Sequence, residues 1–191
     1  MRRLLAIMAM FSLSLTALAQ NKVGFDDNDF KSIGIYDRWE ESPFSTGRLK
    51  GNCAVIDNHL KDITNSSERI LAVQRSRFGS NTFGVRIDLT EPYELSTTGK
   101  DIIFEINRPY DGRVMVIGLG RRADRPWQSA RTEQFTLISC DDVPADSWQT
   151  VSISAKGAPG VLIYSLVIVP DCESPHDYVS DQVCYIDNIS Y

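Results

Sequence analysis

The feature that most constrains this chain is a series of short segments in which apolar and polar residues alternate. They are rich in Val, Ile and Phe, and Gly, Pro, Asp and Asn separate them. A period of two is typical of a strand that buries one face, and helical periodicity is scarce here. The segments are Ile70–Gln74, Phe83–Leu89, Ile102–Asn107, Arg113–Leu119, Gln134–Ser139, Trp148–Ser154, Leu162–Val169 and Val183–Tyr191.

The residues between these segments favour tight turns. Tyr110–Gly112 offers a hairpin, and Gly157–Gly160 does likewise, because Gly tolerates a positive φ. Pro92 should end the strand before it, since Pro cannot donate to a strand ladder. Strands of this length and spacing predict an all-β fold, an antiparallel β-sandwich or a barrel.

The amino-terminal stretch is typical of a secretory signal peptide. Arg2 and Arg3 precede an apolar run, and Ala17–Ala19 has the small-x-small pattern of a cleavage site. Residues 1–19 are therefore the predicted signal peptide and residues 20–191 a single β-sandwich domain. We expect the mature protein to be secreted, periplasmic or on the cell surface; the alternative is an uncleaved membrane anchor, for which the run is short.

The charge balance excludes some ligand classes. The 191 residues carry a net charge of −5, and loss of Arg2 and Arg3 makes it more negative. Nucleic acids and anionic membranes select clustered Lys and Arg, so neither is an expected partner. No later segment is apolar enough for membrane insertion. An acidic exported domain is compatible with neutral ligands such as glycans, and with cations.

Four cysteines in an exported chain predict disulfides. Cys172 and Cys184 flank a polar loop between two apolar strands, so a bridge there would close the base of that loop. Pairing of Cys53 with Cys140 follows only by elimination, and four buried free thiols are the alternative.

Several short motifs together resemble a known family. They are Phe25-Asp26, Trp39, Ala54–Asn58 (AVIDN), Thr64–Arg75 (TNSSERILAVQR), Gly84–Leu89, Trp148 and a terminal Tyr185–Ile189 (YIDNI). This order resembles the galactose-binding-like jelly rolls of secreted bacterial polysaccharide-utilisation proteins, of the carbohydrate-binding-module type. The resemblance implies a two-sheet jelly roll, often glycan-binding and often attached to an enzyme.

The same resemblance implies a structural calcium ion. In such jelly rolls the last strand lies beside the first, and oxygens from both often hold Ca²⁺, which takes six to eight oxygen ligands. The matching positions are Asp26 or Asp27 near the start and Asp187 in YIDNI. The alternative is a solvated acidic turn with Asp187 facing water.

A polar loop around Trp127 is the best candidate for ligand binding. Trp127 lies in Arg121–Arg131 (RRADRPWQSAR), beside Gln128 and between two flanking arginines. An indole can stack on the C–H face of a sugar while Arg121, Arg131 and Gln128 hydrogen-bond its hydroxyls. Alternatively, Trp127 folds back to plug its loop.

Other aromatic residues are weaker candidates. Tyr110, on a predicted turn, is a secondary ligand candidate. Trp148 opens an alternating strand and is predicted to lie in the core, and the sequence leaves Trp39 undecided.

Support for other chemistry is thin. Val114–Ala123 matches the dinucleotide fingerprint, but Pro126 interrupts the helix that this motif requires. Glu105 has no carboxylate partner two or four residues on, as closely paired glycosidase carboxylates would require. The leading hypothesis is a non-catalytic carbohydrate-binding module that recognises a polysaccharide or oligosaccharide through loop aromatics. The alternatives are a structural or protein-interaction module and a small carbohydrate-active enzyme (glycoside hydrolase or lyase).

Overall fold

The computed structural model describes residues 21–43, 45, 47, 51–75, 80–157, 159–173 and 181–191. Within these ranges the chain forms two antiparallel sheets and no α-helix, so the predicted two-sheet β-sandwich is confirmed. The described part accordingly holds no helix long and apolar enough to cross a membrane. The predicted signal peptide lies outside the described residues.

Two sheets face each other. The first consists of β1 (Lys22–Val23), β3 (Gly51–Asp57), β4 (Arg69–Arg75), β6 (Asp101–Asn107), β9 (Gln149–Ser154) and β11 (Gln182–Ser190). Its order is β3-β4-β11-β6-β9, with β1 beside β11. The second consists of β2 (Phe30–Asp37), β5 (Phe83–Glu94), β7 (Met115–Arg122), β8 (Glu133–Ile138) and β10 (Val161–Val169), in the order β2-β5-β10-β7-β8.

Alternation along the strands builds the core between the sheets. In β6, Ile102, Phe104 and Ile106 are buried, whereas the residues between them are partly exposed. From the second sheet, Leu166 and Ile168 of β10 enter the same apolar cluster. Burying one such side chain stabilises the fold by about 1.5–3 kcal/mol, so this interface is the main source of stability.

Strand β10 is buried on both faces, which explains the almost unbroken apolar run at Leu162–Val169. Leu166 and Ile168 face the other sheet, while Val167 and Val169 pack in a second apolar cluster with Tyr36. We define the outer face of the second sheet as the face turned away from the first sheet. Part of this outer face is therefore apolar and buried.

Pro92 does not end its strand, contrary to prediction, because β5 continues to Glu94. The paired register jumps between Ile163 and Ser165 of β10, and Pro92 falls in the irregular stretch of β5 opposite this bulge. A Pro is tolerated where no ladder hydrogen bond is required of it.

The predicted hairpin at Tyr110–Gly112 is also wrong. The residues do turn, with φ of 127° at Gly112 and 81° at Gly160. However, each turn carries the chain from one sheet to the other, since β6 and β9 lie in the first sheet and β7 and β10 in the second. Turn chemistry alone does not reveal which sheet the next strand joins.

The segment that matches the dinucleotide fingerprint does not form the strand–turn–helix unit that the motif requires. Gly118 and Gly120 both lie inside β7, with no helix after them. A Cβ on Gly118 would overlap the ring of Phe135, its partner on β8. The glycine therefore serves close packing rather than phosphate binding.

The carboxy-terminal strand is central in the first sheet, between β4 and β6. It also pairs with β1, as the resemblance implied, through Lys22 with Ser190. Its pairing with β6 shifts between Asp187 and Ser190, and Asn188 has a φ of 48°. The broken alternation of YIDNI thus corresponds to a bulge.

All four cysteines are free thiols, so neither predicted disulfide is formed. The Sγ of Cys184 is buried 3.1 Å from the hydroxyl of Tyr110, whereas that of Cys172 donates to the carbonyl of Arg113 at 3.4 Å. Cys53 lies in β3 of the first sheet, and Cys140 is exposed beyond β8 of the second. Burial raises the pKa of Cys184 to about 11 and keeps it a thiol.

A buried ion pair joins the two sheets at one end. Arg75 ends β4 and Asp171 follows β10, and their side chains meet at 3.0 Å with at most 5% exposure. Arg75 also donates to the carbonyl of Ser80. Removing one partner would leave the other charge buried without its ion-pair partner, which typically costs 3–5 kcal/mol.

We therefore expect Asp171→Ala to lower the free energy of unfolding by about 3 kcal/mol or more, measured by urea denaturation. Glu68→Gln, which removes an exposed ion pair with Lys61, is the matched control and should cost about 1 kcal/mol or less. Equal effects of the two substitutions would contradict the structural role of the buried pair.

Candidate functional site

The loop between β7 and β8 presents Trp127 to solvent. The side chain is 78% exposed, so it does not plug the loop. Arg121 holds the loop from beneath, because its Nη1 donates to the carbonyls of Pro126 at 2.7 Å and Gln128 at 3.3 Å. The Arg121 guanidinium lies 5.0 Å from the ring centre of Tyr164, which fixes it further.

The segment that follows β2 makes side-chain contacts with residues from the other side of the second sheet. We call its residues 38–43 the crossing segment. Arg38 donates to Thr136 of β8 at 2.6 Å, although β2 and β8 are the two edge strands of this sheet. Glu41 forms an ion pair with Arg131 of the Trp127 loop at 2.9 Å.

This ion pair ties together two exposed tryptophans on different segments. Trp39 belongs to the crossing segment and is 51% exposed, and Trp127 belongs to the loop that contains Arg131. The Glu41–Arg131 pair is itself partly exposed, so it contributes little stability and acts mainly to position the two segments.

Polar residues form another part of the outer face. Asp88 accepts hydrogen bonds from Ser165 at 2.6 Å and from Ser32, and pairs with Arg86 at 3.1 Å. Burial raises the pKa of Asp88, but these hydrogen bonds and the nearby arginine charges outweigh it, so the pKa lies below its ordinary value. Asp88 is therefore ionised, and the charges of Arg86 and Arg131 stabilise its carboxylate.

Arg86 and Asp88 were not among the predicted site residues. The signal was present in FGVRIDL, where they alternate with the buried Val85 and Ile87. Alternation shows that they face away from the core, but it does not show that Arg131 of the Trp127 loop lies near Asp88.

The structure brings together some of the predicted ligand residues and separates one. Trp127, Arg121, Gln128 and Arg131 belong to one loop and its base, with the Gln128 side chain half-buried. Tyr110 precedes β7, whereas this loop follows β7, so Tyr110 lies at the other end of the strand. It contacts Cys184 and the guanidinium of Arg108 instead, and does not belong to the Trp127 site.

Trp148 is buried, with 4% exposure, as predicted. Its indole Nε1 donates to the carbonyl of Leu60 at 2.8 Å. Trp148 therefore anchors the loop between β3 and β4 against the first sheet, which explains why it cannot serve as a ligand platform.

The acidic residues predicted to hold calcium line one cavity of about 370 Å³. Asp26, Asp27 and Asp187 are all in its wall, together with Asp29 and Asn188. Asp26 accepts a hydrogen bond from the backbone N–H of Arg69 at 2.6 Å. Among the described residues, no three His, Cys, Asp or Glu side chains converge closely enough to hold one ion.

Asp187 does not face water. It is 1% exposed and shares the Nδ2 of Asn65 with Glu105, at 2.8 Å and 2.7 Å respectively. Glu105 is directly opposite Asp187 in the pairing of β6 with β11, so it does have a carboxylate partner across the sheet. The buried amide of Asn65 lies between them and hydrogen-bonds both carboxylates.

Comparisons with known proteins give a fold but no family. No family model and no curated protein matches the sequence. Solved structures that share the β-sandwich include three that contain carbohydrate-binding modules. The xylan-binding CBM22-2 domain from Paenibacillus barcinonensis has a TM-score of 0.55 at 10% identity, covering 88% of this chain and 96% of that one.

The other two come from Clostridium thermocellum. The CBM22-1-GH10 modules of endo-1,4-β-D-xylanase 10B, complexed with xylohexaose, match with a TM-score of 0.54 at 13% identity. That match covers 90% of this chain but 27% of the xylanase chain. The family 11 carbohydrate-binding module of a cellulosomal cellulase matches at 0.51 and 11% identity, covering 92% and 95%. This chain therefore shares the jelly-roll β-sandwich fold of these modules.

The contrast between the two tryptophans gives a stability prediction. Trp127→Ala should change the free energy of unfolding by no more than about 0.5 kcal/mol, because its side chain is in solvent. Trp148→Ala should lower it by about 3–5 kcal/mol, since it empties a buried site. Urea denaturation of both variants measures this difference, and a large loss with Trp127→Ala would show that Trp127 supports the fold.

Proposed function

We propose that the protein is a non-catalytic carbohydrate-binding module of an exported or periplasmic system. The observation that carries this proposal is the ion pair between Glu41 and Arg131, which holds the exposed Trp39 and Trp127 on adjoining segments. Two indoles on one side of a sandwich provide flat platforms for the C–H faces of sugar rings.

The surroundings of the indoles support a glycan rather than a protein partner. Arg86 and Asp88 provide donors and acceptors on the same outer face, and Arg121 lies at the base of the Trp127 loop. A protein-interaction surface would favour a continuous apolar patch over this mixture. The net charge of −5 favours a neutral glycan over a polyanionic one.

The comparison structures support the same ligand class. One of them is described as xylan-binding and another is complexed with xylohexaose, both on this fold. We therefore take linear plant-type polysaccharides as the first ligands to test.

Affinity electrophoresis against xylan and mixed-linkage β-glucan tests the proposal directly. The unaltered protein should be retarded, and Trp127→Ala should weaken binding at least about tenfold, the loss of roughly 1.4 kcal/mol expected for a central aromatic contact. Trp39→Ala should weaken binding in the same direction.

Ile63→Ala is the matched control, because Ile63 is fully exposed in the loop between β3 and β4, away from the second sheet. It should bind like the unaltered protein. Binding to no polysaccharide would remove the proposed function, and binding that Trp127→Ala leaves unchanged would remove the proposed site.

We further propose that a structural Ca²⁺ binds in the 370 Å³ cavity between the first and last strands. Its wall offers oxygen donors of the hard type that calcium prefers, from Asp26, Asp27 and Asp187. Because no three such side chains converge there among the described residues, backbone or amide oxygens would have to complete the ligand set. A bound cation would relieve the burial of the Asp187 charge.

Thermal unfolding with excess calcium and with a chelator tests this proposal. Saturation to a hundred times the Kd stabilises a folded state by about 2.7 kcal/mol, which should raise Tm by several degrees. Asp187→Asn should abolish the difference between the two conditions. A Tm that is the same with calcium and with chelator would contradict calcium binding.

A further inference from the structure

A second cavity lies at the end of the sandwich where the first and last described residues meet. Asn21 and Tyr191 exchange two backbone hydrogen bonds of 3.1 Å and 2.9 Å there. The cavity measures about 330 Å³, the lower end of the roughly 300–1,000 Å³ range of small-molecule sites. It is lined by Asn21, Tyr93, Glu94, Ser96, Lys100, Ala155 and Tyr191.

Two aromatic rings form one wall of this cavity. The rings of Tyr93 and Tyr191 lie 5.5 Å apart at 54°. The Tyr191 hydroxyl donates to the carbonyl of Glu91 at 3.4 Å, so this ring is held in place. A tilted pair of tyrosines offers an apolar surface to a small ring.

The hydroxyl of Tyr93 is buried and has no hydrogen-bond partner among the described residues. Such a group typically costs 1–3 kcal/mol. Its oxygen is too enclosed for a ligand in the cavity to reach, so only the ring of Tyr93 takes part in the site. Burial raises the pKa of Tyr93 to about 12, so the hydroxyl remains a hydrogen-bond donor at neutral pH.

The lining also includes two charged residues, Glu94 and Lys100. Glu94 accepts a hydrogen bond from the backbone N–H of Gly160 at 2.8 Å, which uses one of its oxygens to hold the adjoining loop. Lys100 is exposed and forms no ion pair within the described ranges. Its ammonium group can therefore pair with an anionic ligand at little cost.

We propose that this cavity binds one pyranose residue, and binds a uronic acid more tightly than the corresponding neutral sugar. The tyrosine rings would contact the C–H face, and Lys100 would pair with the carboxylate. The cavity shares no lining residue with the Trp127 loop or the crossing segment, so it is a separate site and does not depend on the Trp127 surface.

Isothermal titration of the full chain with galacturonic acid, glucuronic acid, galactose and glucose tests the proposal. At least one uronic acid should bind at least about fivefold more tightly than its neutral counterpart. Tyr93→Ala, which removes one ring of the wall, should weaken binding of both sugars of that pair, whereas Tyr93→Phe, which keeps the ring, should not. Lys100→Ala should remove the preference for the acid, whereas Lys156→Ala, an exposed lysine that does not line the cavity, should not.

Thermal melts of Tyr93→Ala and Lys100→Ala show whether each variant is folded, so a binding loss can be assigned to the cavity. The inference is overturned if no monosaccharide binds, if neutral and acidic sugars bind equally, or if the preference survives Lys100→Ala. It is also overturned if Trp127→Ala abolishes monosaccharide binding, whereas failure of polysaccharide binding alone would affect only the proposed function above.

Discussion

The structure depends on the apolar interface between its two sheets, and within it on the burial of the central strand β10. Its inward residues, such as Leu166 and Ile168, join the core, while Val167 and Val169 need a separate cover on the outer face. Apolar residues on both faces of a strand require chain on both sides. Part of the outer face of the second sheet is therefore buried. The polar residues around Asp88 lie on the same face.

The outer face therefore has a buried apolar part around Tyr36 and a polar part around Asp88. Tyr36 packs with the covered apolar residues, and the next residues of the chain form the crossing segment. The segment reaches the far edge of the sheet through Arg38 and the Trp127 loop through Glu41. The same connection that follows the apolar cover thus brings Trp39 toward the loop of Trp127, beside the network around Asp88.

Sequence reasoning predicted what depends on local periodicity and missed what depends on topology. The alternating segments and the buried Trp148 were confirmed, because burial of one strand face leaves a direct mark on the sequence. Strands β2 and β3 were not among the predicted segments. The turn at Tyr110 was predicted to be a hairpin, and Tyr110 was predicted to belong to the ligand site. Both predictions were wrong because a turn motif does not determine which sheet the next strand joins. The partnership of Glu105 with Asp187 could not be predicted either, because it depends on the register of strands far apart in sequence.

The most direct measurement is an NMR titration of the three tryptophan indole N–H signals with a xylo- or mixed-linkage β-glucan oligosaccharide. The signals of Trp127 and Trp39 should shift with ligand concentration, while that of Trp148, bonded to the Leu60 carbonyl, should stay in place. Unmoved signals for Trp127 and Trp39 in the presence of a bound glycan would contradict the account.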